Sequence, residues 1–374
     1  MRRRIRPVGA FSHYRRGCAT RSMEGANLAT VVRVLDLVPI AGKDQIELAV
    51  VKGWRCIVRK GEFSLGNLAI YFALDSVPDF EDPHFSFLRK FGRIKTLKMG
   101  GVVSQGLLGG LSWYAERGHG DTLAEHDDVT VAMGVSKYVH AEEAVQYRAQ
   151  GVTYREFPHM VPKTDALRLQ ACPDALNAIA GRDVVITRKE DGCSCTCVAL
   201  DGEFLLCGRN FVWDAEDGSV AHYFQMQAQY SLKHKLLSLG RNLAFQCEIL
   251  GPKVNGNRLR LQHTTLAVFD VYDIDAARYL PYAQACALCL SLDLPQVPLI
   301  YRGPANNLFG GVLSVDGFLE LAEGVEYVKG VRAEGVVVKT EGGEEAEFVG
   351  GVRVEGARVV FKVVSNKYLL KHDL

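Results

Sequence analysis

The chain has almost no net charge: 374 residues carry 44 Lys and Arg against 43 Asp and Glu. That balance excludes a polycation or polyanion acting through its overall field, so any hold on a charged partner must come from local patches. No apolar run reaches the roughly 18 residues that a membrane-crossing helix needs, which excludes a helical span. No secretory apolar segment accompanies the ten cysteines, so the thiols read as reduced and intracellular. Cys193, Cys195 and Cys197 alternate along one strand, and Cys286 and Cys289 form a C-x-x-C in an apolar run. Neither set has the His or second cysteine pair that would complete a zinc site, so packing is the expected role of both. Acid is missing from residues 1–23, which hold seven arginines. An Arg-rich, acid-free start matches a mitochondrial transit peptide over residues 1–24; the alternative is a cytoplasmic protein whose translation starts at Met23.

What is present is ordinary globular composition, 48% hydrophobic and 23% charged, enough for two domains. Residues 25–115 run as short β-branched stretches separated by Gly, Asp and Asn: Ala29 to Leu37, Ile46 to Val51, Trp54 to Val58, Leu68 to Leu74 and Val102 to Leu108. Five such strands predict a small OB-fold β-barrel. Between Pro83 and Ala115 there is again no acid, while Arg89, Lys90, Arg93, Lys95 and Lys98 stand among Phe85, Phe87 and Phe91. Basic groups beside aromatic rings make Arg93, Lys95 and Lys98 candidates for RNA binding, against the plainer reading of a solvated loop with core phenylalanines. Residues 116–150 show little periodicity and read as a linker, with a short helix from Ala141 to Ala149.

In residues 151–374 the expected fold is α+β with two sheets. The run Asp183 to Thr187 reads as a strand that delivers Lys189 onto an Asp191-Gly192 turn. Period-two alternation puts Asp191 on the face of Lys189, and Gly192 allows a close backbone turn. A lysine amine attacks phosphorus only as the neutral base, so a nucleophilic Lys189 calls for burial or a nearby cation such as Arg188 or a metal. Asp201-Gly202 between alternating runs predicts a hairpin. Val220 to Leu239 predicts one helix closed by Gly240, and Tyr282 to Leu292 a second.

Alone, K-x-D-G is most often a surface turn. Here it is followed in order by Arg209-Asn210, Gln246 to Pro252 with Glu248, Phe269-Asp270-Val271, Glu334 to Lys339, and Phe361 to Ser365 with Lys362. This series resembles the nucleotidyltransferase motifs of ATP-dependent RNA ligases, and the front segment resembles the N-terminal barrel of a subset of them. Cys193, Cys247 and Val360 depart from the family's usual small hydroxyl residue, glycine and second lysine.

The resemblance implies an OB-fold followed by a two-sheet nucleotidyltransferase (ATP-grasp-like) domain. It implies ATP and Mg²⁺ or Mn²⁺ as cofactors, and RNA 3′-hydroxyl and 5′-phosphate ends as partners, a nicked duplex among the options. Lys189, Asp191, Glu248, Glu334 and Lys362 are the implied catalytic residues, with Glu248 and Glu334 also facing the metal. Thr187, Gly192, Arg209, Asn210, Phe269 and Lys339 are implied around the nucleotide, Phe269 stacking on adenine and Lys339 near the phosphates. Without the resemblance, Phe269 is a core aromatic and Arg209 a surface ion pair. Two other functions fit the lysine motif. One is a different covalent nucleotidyltransferase, a DNA ligase or mRNA guanylyltransferase, but there the small barrel follows the lysine motifs and here it precedes them. The other is a non-catalytic RNA-binding protein, which has no need of this full set of charged residues.

Overall fold

The computed structural model describes residues 27–138, 154–214, 220–341 and 358–374. The expected leader at 1–24 and the expected helix at 141–149 lie outside these residues. The front domain is built on five antiparallel strands, β1 (Ala29–Pro39), β2 (Ile46–Val51), β3 (Trp54–Arg59), β4 (Leu68–Phe72) and β5 (Leu107–Gly109), in the order β3-β2-β1-β4-β5. Alternation is clean on β3, where Trp54, Cys56 and Val58 point inwards and Arg55 and Arg59 outwards. A register shift between Val34 and Asp36 bends β1, as bulges do. The bent strand serves two cores: Ala29 and Val31 pack with Phe72, Phe85 and Met133, while Val32 and Val34 pack with Ala49, Trp54 and Val58. This curled sheet is the expected OB-fold.

Of the expected linker, residues 116–138 belong instead to the front domain. Val129, Met133 and Val135 are buried in its core, and the Val31 N–H donates to Asp127 O at 2.9 Å. Periodicity misses this because the stretch packs as turns rather than as a regular element.

Beside a small two-stranded ribbon of Glu326–Val328 and Val331–Arg332, the second domain is built on two large sheets. One is seven-stranded: β6 (Tyr154–Glu156), β9 (Cys193–Leu200), β10 (Glu203–Cys207), β11 (Phe211–Trp213), β12 (Leu243–Leu250), β13 (Thr265–Asp273) and β14 (Arg278–Tyr279), ordered β6-β11-β10-β9-β12-β13-β14. The other is five-stranded: β7 (Leu167–Arg168), β8 (Asp183–Lys189), β15 (Leu299–Pro304), β16 (Gly335–Thr340) and β17 (Val360–Val364), ordered β7-β17-β16-β8-β15. The expected hairpin at Asp201-Gly202 joins β9 to β10, with both turn residues at positive φ.

Helices cover the outer faces. The single helix expected over 220–239 is two, α1 (Ala221–Gln229) and α2 (Leu232–Leu237), because Ser231 takes a left-handed conformation between them. The break lets Tyr223 and Met226 on one piece and Leu232 and Leu236 on the other reach the same core. Helix α3 (Tyr282–Ser291) matches its expected span. Behind the five-stranded sheet lie helices α4 (Val315–Gly324) and α5 (Asn366–His372), and Phe318 of α4 and Tyr368 of α5 pack there with Val336, Val338, Phe361 and Val363.

The thiols meet their expectation as packing groups. Cys195, Cys197 and Cys247 are buried in the core under the seven-stranded sheet, and Cys193 Sγ lies 2.9 Å from the Tyr223 hydroxyl.

Candidate active site

Register explains why the charged residues converge. On β8, Val184 and Ile186 face the apolar core, so Val185, Thr187 and Lys189 face the other way. Antiparallel partners share a face. Lys189 pairs with Gly335, Thr187 with Val337, Val185 with Lys339, and Val337 with Lys362. Lys189, Thr187, Lys339 and Lys362 therefore line one side of a cleft between the sheets. Across it, Glu248 pairs with Ser194 on β9.

At the open end of β8, Lys189 Nζ lies 2.5 Å from Glu334 Oε2. Burial pushes the Lys189 pKa down, but Glu334, Glu248 and Asp191 together outweigh it and hold the amine above its ordinary value. The expected lowering of this pKa is thus not built into the protein's own residues. Arg188 does not supply it: its guanidinium pairs with Glu190 at 2.7 Å and donates to the carbonyls of Glu326 and Tyr327.

Glu248 is half-buried, and its carboxyl is pushed up to about 8, by desolvation first and by Glu334 and Asp191 against the pull of Lys189. Its Oε1 accepts the Gly192 N–H at 3.0 Å. Gly192 has to be glycine for space: a Cβ there would meet Ile249 O at 2.2 Å and Glu248 Cγ at 2.8 Å. Lys362 is drawn down to about 8 by burial, with Lys189 and Arg168 adding repulsion. A cationic side chain here is held ready for an anion.

Three carboxylates, Asp191, Glu248 and Glu334, thus bear on Lys189, and Glu248 and Glu334 offer hard oxygen donors suited to Mg²⁺ or Mn²⁺. Among the described residues, however, no three His, Cys, Asp or Glu side chains gather closely enough to hold a metal by themselves. The set fits a cation that takes its remaining ligands from phosphate and water, as Mg²⁺ commonly does.

Other expected residues fall at the margins. Thr187 is buried on the cleft face. Arg209 donates to Asp165 Oδ1 at 2.6 Å, and Asn210 Oδ1 accepts from Lys163 at 3.3 Å. Asp165 also acts on Lys362, which places this rim near that lysine. Phe269 is partly buried at the cleft wall.

Lys339 is reassigned. It sits four residues beyond Gly335, about 13 Å along the strand, and its ammonium is tied to Asp270 at 2.9 Å and to Phe269 O at 2.8 Å. Arg358 grips the same carboxylate at 2.6 and 2.8 Å. Lys339 therefore joins the two sheets rather than holding a phosphate. A cavity of about 130 Å³ opens at this distal end, lined by Val185, Phe269, Asp270, Tyr279, Lys339 and Arg358.

Arg93 and Lys95 are also committed elsewhere. Arg93 pairs with Asp75 at 3.1 Å and donates to Asp373 O at 2.8 Å, and Lys95 pairs with the Asp373 carboxylate. These two cations of the expected RNA patch dock the front domain on the second domain, while Lys98 stays exposed.

Four residues that pattern did not single out complete the site. The Tyr327 hydroxyl donates to Lys189 O at 3.2 Å and accepts the Glu334 N–H at 3.1 Å, clamping the end of β8 to Glu334. Asn255, Arg258 and Tyr368 hold Asp191. No sequence signal marks them, since each lies in a different element from its partner.

Comparison with known proteins settles the family. The RNA ligase family model matches residues 182–364, and an OB-fold domain model matches residues 28–111. Residues 182–364 belong to the RNA ligase family. It resembles a Naegleria gruberi RNA ligase solved with pyrophosphate, at 28% identity and a TM-score of 0.78, covering 93% of this chain and 99% of that one. A lysine-to-alanine variant of that ligase with ATP and manganese matches at 28% identity and 0.77, covering 92% and 99%. A glutamate-to-alanine variant with AMP and manganese matches at 28% and 0.78, covering 93% and 99%. No curated protein matches the chain. Both the ligase domain and the order of domains agree with the sequence reading.

Proposed function

We propose that this RNA ligase uses ATP to join a 3′-hydroxyl to a 5′-phosphate through an adenylylated Lys189. The observation that carries the reading is the lysine at the end of β8, flanked by Glu334 and Glu248 with Lys362 on the same sheet face. Lys189 Nζ attacks the α-phosphorus of ATP, forming a P–N bond as pyrophosphate leaves. AMP then passes to the RNA 5′-phosphate, and the 3′-hydroxyl displaces it to close the phosphodiester.

Glu334, at 2.5 Å, is the nearest base to take the Lys189 proton. Lys362 lies where negative charge develops in an in-line displacement. A divalent cation at Glu248 and Glu334 supplies positive charge beside the lysine and the phosphate. The solved relatives holding ATP, AMP, manganese or pyrophosphate support this choice of nucleotide and metal.

The test is covalent labelling. ATP, and not GTP or NAD, is expected to label the protein, and Lys189→Ala to abolish the label; undiminished labelling of that variant overturns the mechanism. The arginine-rich start supports a mitochondrial location. Residues 1–25 fused to a fluorescent reporter are expected to reach mitochondria, and diffuse cytosolic signal would favour a start at Met23.

A further inference from the structure

Asp191 lies two residues from the nucleophile and is almost fully buried. Both of its oxygens are taken. Oδ1 accepts from Asn255 at 3.1 Å; Oδ2 accepts from Arg258 at 2.7 Å and from the Tyr368 hydroxyl. Three donors from two separate segments fix the plane of this carboxylate. The Tyr368 hydroxyl contributes direction rather than charge, because Arg258 already neutralises Asp191.

Tyr368 belongs to α5, whose two ends are anchored to different parts of the molecule. At its start, the Ser365 N–H donates to Glu334 O at 2.8 Å, and the Ser365 hydroxyl caps the Tyr368 N–H at 3.2 Å. This end is therefore fastened to the strand segment that bears the acid beside Lys189. At its finish, Asp373 takes a left-handed conformation and receives Arg93 on its carbonyl and Lys95 on its carboxylate. Both cations come from the front domain, and helix C-termini attract cations. Tyr368 and His372 pack between the two ends, with ring centres 4.4 Å apart.

We propose that Tyr368 is a positioning residue for Asp191, and that α5 couples docking of the front domain to the geometry of the turn that carries Lys189. The inference rests on the reading of Lys189 as the adenylylated nucleophile. A helix of two turns is stiff over this length, so a shift at Asp373 is felt at the Tyr368 hydroxyl. When the front domain is docked, Asp191 is held in place; when it lifts, the carboxylate loses one of the three donors that define its plane.

The experiment measures the single-turnover rate of covalent labelling over a range of ATP concentrations. Wild type, Tyr368→Phe, Asp373→Ala and the double variant are compared, with Lys189→Ala in parallel. Tyr368→Phe removes only the hydroxyl and keeps the ring against His372. It is expected to slow labelling at saturating ATP by about tenfold, the effect of losing one hydrogen bond to a charged group, with the half-saturating ATP concentration unchanged. Asp373→Ala, at an exposed residue, is expected to slow it by about threefold, since the Arg93 bond to the main chain remains. The double variant is expected to be no slower than Tyr368→Phe alone.

Wild-type rates for Tyr368→Phe, or a change confined to the half-saturating concentration, overturn the positioning role. Effects that multiply in the double variant overturn the coupling through α5. Should Tyr368→Phe fail to fold, the rate of Asp373→Ala still decides: no slowing rejects the coupling. Label retained by Lys189→Ala would reject the underlying chemistry instead, so the two failures are distinct.

Discussion

Replacing Asp270 by asparagine separates a structural from a catalytic role for Lys339. In the folded protein one carboxylate binds Lys339 at 2.9 Å and Arg358 at 2.6 and 2.8 Å, with no partner more than 12% exposed. Burial raises the Asp270 pKa, but Arg358 and Lys339 together outweigh it and hold the group below the usual carboxylate value. Asp270→Asn leaves two buried cations facing one neutral amide, half of which presents N–H groups to them.

Breaking a buried pair in this way costs about 3–5 kcal/mol. For a domain of about 200 residues that corresponds to a melting temperature lower by roughly 10 °C. Lys339→Met costs less, because Asp270 keeps its two bonds from Arg358. The pH dependence follows from the sign of the shift. A depressed folded pKa contributes stability above the unfolded value near 4, and that stability is lost as pH falls through the folded value. Below about pH 4 the difference in melting temperature between wild type and Asp270→Asn is therefore expected to shrink. Thermal melts across pH, together with ATP saturation curves for labelling, read both effects. Unchanged melting with a raised KM for ATP in Lys339→Met would refute the tether and return Lys339 to the phosphates.

Two further outcomes follow from the same geometry. The carboxyl of Glu248 is raised to about 8, so the folded protein holds a proton there that the unfolded chain releases above about pH 4.3; stability without divalent cation is expected to fall as pH rises from about 4.3 to 8, and Glu248→Gln to flatten that slope in thermal melts. The Gly53 N–H donates to Gln170 O across the domain seam at 2.9 Å, and a Cβ at Gly53 would sit 2.7 Å from Gln170 Cα, so Gly53→Ala is expected to cost about 1–3 kcal/mol of domain docking; wild-type melting and labelling would show that the seam gives way without cost.

The fold is legible wherever a local period fixes which side chains are buried. Four of the front strands and the Asp201-Gly202 hairpin come directly from alternation and turn chemistry; the strand expected over Val102 to Leu108 is split, Val102–Ser104 pairing with Leu97–Met99 and Leu107–Gly109 with β4, with Gly106 at positive φ between them. The failures have physical causes. Ser231 interrupts an otherwise helical pattern with a single left-handed residue, a conformation that composition does not forecast. Residues 116–138 bury Val129, Met133 and Val135 from turns, where no repeating spacing exists to be seen.

The site divides along the same line. Lys189, Asp191, Glu248, Glu334 and Lys362 carry charge on apolar strands or at their ends, and strand register alone brings them to one cleft. What register cannot give is the choice of ionic partner. Lys339 and Lys362 sit on adjacent strands, face the same way and are alike in sequence, yet one meets Asp270 and the other does not. Arg93 and Lys95 have the look of an RNA patch because they are basic and near aromatic rings, and Asp373, some 280 residues away in sequence, claims both. The partners of Asp191 are likewise distant, Tyr368 standing 177 positions further along the chain. Period and motif locate the charged groups that share the cleft; the groups that hold them in place are chosen by packing across the chain, and those are the ones whose replacement will tell positioning apart from catalysis.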